Sequence, residues 1–176
     1  MKKSLLGLLC VSACCLAGCG KGLTTEEACK FADDNFATGE KAVKKDVECK
    51  TVSKVNKATG VLEDYKTDDF EETEKVDAYA ASSLIIAALG AEGYKFSTFA
   101  GKLYADATLD VKDIFPALKL VPSEYIKGSA TSSYVYNKEG FVLSQEEKVD
   151  ISVDYNAGGV SIKGELSAYG KVSYSI

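Results

Sequence analysis

The sequence predicts an α+β fold: an antiparallel β meander with one face covered by a central apolar helix, plus an N-terminal helix. Three observations carry that expectation. From Val160 to Ile176 the even positions are apolar or glycine and the odd ones are polar, Tyr169 excepted, the period of a strand with one wet face. Ala78 to Leu89 is apolar almost all round, as a helix buried on most sides would be. Thr24 to Phe36 repeats small and aromatic residues at helical spacing behind a capping signal.

The elements follow in order. Thr24 is the expected N-cap, and Glu27 three residues on completes a capping box. Ala28, Phe31, Ala32 and Phe36 form the apolar stripe, and Gly39 weakens the helix, which then breaks or resumes to about Lys44. Val47 to Val55 is rich in Val and Thr and reads as a strand. The acidic run at 62–75, "LEDYKTDDFEETEK", lacks the D-x-[DN]-x-[DN]-G spacing of a calcium loop. It reads as a solvated loop leading into the N-terminus of the apolar helix, where acids suit the dipole. That helix spans Val76 to Gly90, with Gly90 as its C-cap.

Phe96, Phe99, Leu103 and Tyr104 suggest a strand or a strand pair around Gly101, and "DVKDIFPAL" a short helical turn ended or kinked by Pro116. The tail then reads as three strands with turns at "NKEG" and "NAGG". Four-residue loops would pair Tyr136 with Phe141 and Tyr155 with Val160. Gly164 and Gly170 on the dry face mark a bend or a close approach. The 76–89 helix is the expected cover for that face. Residues 24–176 form one domain on this reading, with no repeat.

Composition narrows the chemistry. The chain has 26 acidic and 21 basic residues, all of the latter Lys, and no Arg, His or Trp. An acidic surface argues against nucleic acid. Without His, neither a Ser-His-Asp nor a Cys-His triad exists, and imidazole metal sites are excluded. There is no P-loop and no G-x-G-x-x-G. The chain is therefore expected not to be an enzyme and to use no cofactor or metal.

The first residues read "MKKSLLGLLCVSACCLAGC". Lys2 and Lys3 precede an uncharged, mostly apolar run from Ser4 to Leu16, and Ala17 and Gly18 lead to Cys19. The run suits a signal peptide and is too short to span a bilayer. Leu-Ala-Gly-Cys resembles the lipobox of bacterial lipoproteins. The resemblance covers residues 1–19 only. It implies a signal peptide, 1–18, cut before Cys19, and a diacylglyceryl group on the Cys19 sulfur. Acylation of the new amino terminus is the further step it implies. Residues 19–23 would be the lipidated cysteine and a short tether of at most about 14 Å. Gly20 follows the lipid site where an inner-membrane retention signal would have Asp. The implied location is extracytoplasmic and membrane-anchored: the outer membrane of a Gram-negative cell, the cell membrane of a Gram-positive one.

Cys10, Cys14 and Cys15 leave with the signal, so Cys29 and Cys49 remain as an even pair in an exported domain. A disulfide is the expected reading, two buried free thiols the alternative. The mature chain carries 19 Lys against 26 acids, a net charge of −7, so the lipid on Cys19 and not a basic patch is the expected membrane contact. Two functions are expected. One is the binding of an apolar ligand in a cleft between helix and sheet. The other is interaction with an envelope protein through 160–176 as an exposed sheet edge.

Overall fold

A computed structural model of the protein describes residues 20–38 and 45–176. Eight strands form one antiparallel sheet: β1 (Lys21–Leu23), β2 (Lys45–Gly60), β3 (Phe70–Ala78), β4 (Lys95–Phe99), β5 (Lys102–Leu109), β6 (Ile126–Tyr136), β7 (Val142–Ala157) and β8 (Val160–Ser175). Their order is β1-β4-β5-β6-β7-β8-β2-β3. The helices are short: α1 (Thr25–Asn35), α2 (Ser83–Ala91) and α3 (Val111–Ile114). The fold is predominantly β, not the expected α+β arrangement around a central helix.

The C-terminal meander forms because β7 and β8 share one apolar period. Val149, Ile151 and Val153 stand opposite Ala168, Leu166 and Gly164, and all six are buried. Their cover is not α2. Phe115, Leu118 and Val121, in irregular turns after α3, and Leu62, after β2, fill this core with at most 1 % exposure. A second core lies under α1 and α2 and takes in Ala28, Ala32, Phe36, Ile86, Phe96, Leu103 and Tyr136.

Helix α2 is peripheral. Ile86 is fully buried, but Leu84 is 80 % and Ile85 48 % exposed. The reason is competition for one surface. The turns around Phe115 already occupy the dry face, so α2 docks on α1 by one side only. Helix α1 matches expectation at its start. The Thr24 hydroxyl accepts from the Glu27 N–H at 3.2 Å, and the Glu27 carboxylate accepts from the Thr24 N–H at 2.9 Å. The expected resumption toward Lys44 lies outside the described residues.

The acidic run is loop only in its first part: Glu63–Tyr65 is a 3-10 turn, and from Phe70 the chain enters β3 rather than a helix. β2 is 16 residues long and extends past the end of β8, so it offers 70–78 a partner on its free side. Lys50 and Glu71 pair across that edge at 2.5 Å. A charged outer strand also blunts edge-to-edge association.

Both meander turns differ from the expected four-residue loops. Gly158 and Gly159 have φ of 61° and 80°, so a two-residue turn of type I′ pairs Ala157 with Val160 and Tyr155 with Ile162. The shift of two preserves parity, and the apolar faces still match. After β6, Tyr136 pairs with Val142, not Phe141, across a bulge. The Asn137 side-chain oxygen holds that loop by accepting from the Glu139 and Phe141 N–H groups at 2.9 and 3.0 Å. Gly140 there has φ 89°, and a Cβ would lie 2.6 Å from the Phe36 ring.

Ile86→Ala is expected to lower stability by about 3 kcal/mol through the cavity it leaves, whereas Leu84→Ala changes it by less than about 0.5 kcal/mol. Urea denaturation of both variants checks this; equal losses would restore α2 to the core.

Candidate functional site

The two ends of the sheet are chemically different. At one end the chain enters. Lys21 pairs with Thr98 and Leu23 with Phe96, so the expected tether of residues 19–23 is mostly strand. Only Gly20 separates Cys19 from β1. Cys19 itself lies outside the described residues.

At the other end is an open groove of about 690 Å³. Thr59 of β2, Glu124 and Tyr125 before β6, Lys127 of β6, Asp154 of β7 and Lys163 of β8 are among its lining residues. Lys163 pairs with Asp154 at 3.0 Å, and neighbouring Glu165 pairs with Lys57. Tyr125 meets Tyr155 edge-on, ring centroids 5.2 Å apart. The walls carry these ion-paired side chains and the half-exposed Tyr125 ring, with Val153 and the Gly60 and Gly164 backbone between them. The expected apolar cleft between helix and sheet is instead occupied by packed side chains, Ile86, Leu89, Phe96 and Ala105 among them.

Between the two cores runs a buried polar row. Ser132, Glu147, Gly170 and Ser53 are neighbours across β6, β7, β8 and β2. The Tyr94 hydroxyl donates to Ser132 Oγ at 2.6 Å, and Gln145 Nε2 donates to Glu147 Oε1 at 2.8 Å. Burial, and then Tyr94, push the Tyr136 hydroxyl nearby up to about 12. The bonds of Ser132 and Glu147 let buried polar groups separate two apolar regions. The signal for Glu147 was available: it shares the strand parity of Val149 and Ile151.

The two thiols do not form the expected disulfide; both are free. Cys29 faces α2 and donates to the Ser83 carbonyl at 3.5 Å. Burial raises its pKa, with Asp33 adding to the effect. Cys49 is buried on β2 opposite Tyr174, whose own pKa burial raises first and Cys49 second. Helix α1 docks over β4 and β5, whereas β2 is seventh of the eight strands. The two cysteines therefore belong to different packing units.

The C-terminal strand is not an edge. β8 lies between β7 and β2, so 160–176 has no free side on which to add a partner strand. No three His, Cys, Asp or Glu side chains converge on a metal-sized site among the described residues. No helix among them is long and apolar enough to cross a membrane. Comparisons with protein-family models, curated proteins and solved structures find no match.

Asp106 on β5 stands between Lys95 and Ser133, and burial raises its pKa. The folded state thus holds this proton more tightly than the unfolded chain. Its stabilising contribution is present below the ordinary Asp value of about 3.9 and is lost as pH rises through the folded value. Asp106→Asn is expected to raise the urea midpoint at pH 7 and to leave it unchanged near pH 3; a lower midpoint at pH 7 would contradict this. Thiol titration of the folded domain after denaturation without reductant is expected to find both Cys29 and Cys49 reactive. Protection of the pair would restore the disulfide.

Proposed function

We propose that the protein is a membrane-anchored, extracytoplasmic lipoprotein of non-catalytic role. Lipid on Cys19 holds it, and the groove at the far end of the sheet offers a binding surface to a polar partner in the envelope. The observation that carries this reading is the placement of the two features. β1 ties the residue after Gly20 into one strand end, while the groove lies at the other. Along β7, Val142 stands at the first end and Val153 lines the groove. Eleven residues of strand separate them, about 37 Å.

The chemistry of the chain supports a binding role over a reaction. The groove is lined by Lys, carboxylates, Thr, Ser and Tyr, and the chain has no His to serve as a base at neutral pH. Its polarity favours a hydrogen-bonding partner over an apolar ligand.

Intact mass of the membrane-extracted protein tests the anchor. The expected mass begins at Cys19 and carries acyl chains, and Cys19→Ser loses that increment together with the cleavage. A mature mass that starts elsewhere, or that lacks lipid, would overturn the reading.

A further inference from the structure

The strand end at which the chain enters carries more than the anchor. Lys21 pairs with Thr98, next to Phe99 at the tip of the β4–β5 hairpin. Lys102 on that hairpin leads to Leu103, which pairs with Tyr136, so the loop 137–141 lies at the same end. The linker from β3 to α2 crosses there too. Ala81 donates its N–H to the Gly140 carbonyl at 2.9 Å, although only Tyr79 and Ala80, at most about 11 Å of chain, separate it from Ala78. The first turn of α2 therefore starts beside the β6–β7 loop.

Large apolar side chains gather at this end in the open. Tyr79 is 62 %, Leu84 80 %, Ile85 48 % and Phe99 55 % exposed. Helix α2, "SLIIAALGA", has no charged residue; its Ile86 faces the core and Leu84 and Ile85 face away. Lys102 and Lys138 are exposed nearby, as is Lys21, which pairs with Glu27 at 3.5 Å, and Asp77 is an exposed acid two residues before Tyr79; the lysines stand at the height where a headgroup layer would accept them. An apolar patch rimmed by polar groups marks a contact surface.

The occupant follows from where the chain outside the described residues joins. Only Gly20 separates Cys19 from Lys21, a reach of about 7 Å between the two Cα atoms. On the lipid-anchor reading, on which this inference rests, that end cannot leave the bilayer surface. We propose that it is a membrane-contact rim. Leu84 and Ile85 of α2 and Phe99 of the hairpin enter the bilayer interface beside the acyl chains. The contact stands the sheet upright and turns the groove away from the membrane.

The chain has no Trp, so a single introduced Trp reports without background. Lipidated Leu84→Trp, Phe99→Trp and Leu120→Trp variants are placed in vesicles of phosphatidylcholine, plain or brominated on the acyl chains. Leu120 is 85 % exposed, lies in the turns after α3, and serves as the control. All three positions are exposed, so the fold tolerates the change. Emission from the first two variants is expected to fall by roughly half or more with brominated lipid, since interfacial side chains reach about 5–10 Å below the headgroups. The Leu120→Trp variant should be unaffected. Protein that floats with the vesicles but shows no more quenching at 84 and 99 than at 120 would overturn the rim and leave the anchor standing. Self-association of that floated protein would then assign the surface to a second copy. Protein that fails to float would overturn both.

Discussion

The long pairing of β7 with β8 is the constraint on which the rest of the structure depends. Its register runs from Ser144 and Ser173 to Ala157 and Val160, closed by two glycines with positive φ. Because side chains alternate strictly across a strand, that register alone decides that Val149, Ile151, Leu166 and Ala168 face one way. β6 and β2 then add on either side and extend the same dry face. A slip of one residue would turn the whole set to solvent. The turn that prevents it needs positive φ at both central positions, which only Gly, Asn or Asp adopt readily.

Upon this spine the molecule divides along the strands. The apolar core under Phe115, Leu118 and Val121 occupies one stretch, and the core under α1 and α2 another. The buried row of Ser132, Glu147 and Ser53 lies between them, with Ser132 bonded to Tyr94 and Glu147 to Gln145. Beyond the first core the strands end in the polar groove. Beyond the second lie the exposed Tyr79, Leu84, Ile85 and Phe99 of the β3–α2 linker, α2 and the β4–β5 hairpin, next to the point where the chain arrives from Cys19.

Much of this was legible from local chemistry. The alternation in 160–176, the capping box at Thr24, the hairpin around Gly101 and the turn before Pro116 each depend on near neighbours, and each is found. What failed depended on distant partners. The apolar run 76–90 declares a need for burial, but not that Phe115 and its neighbours have taken the sheet first. Residues 70–75 look like loop, and 76–78 like the start of the apolar helix, until the free flank of β2 is known. Cys29 and Cys49 make a plausible pair by count, but the topology puts them on different packing units. The groove has no sequence signature, because Thr59, Glu124, Lys127, Asp154 and Lys163 meet only through strand order.

The central claim is that one end of the sheet is pinned to a membrane while the groove is held off it. Neutron reflectometry of the lipidated protein on a supported bilayer measures this directly. With β7 at 16 residues, an upright sheet gives a protein layer extending about 50 Å from the headgroups. A layer about half as thick would mean that the sheet lies flat, and would contradict the account.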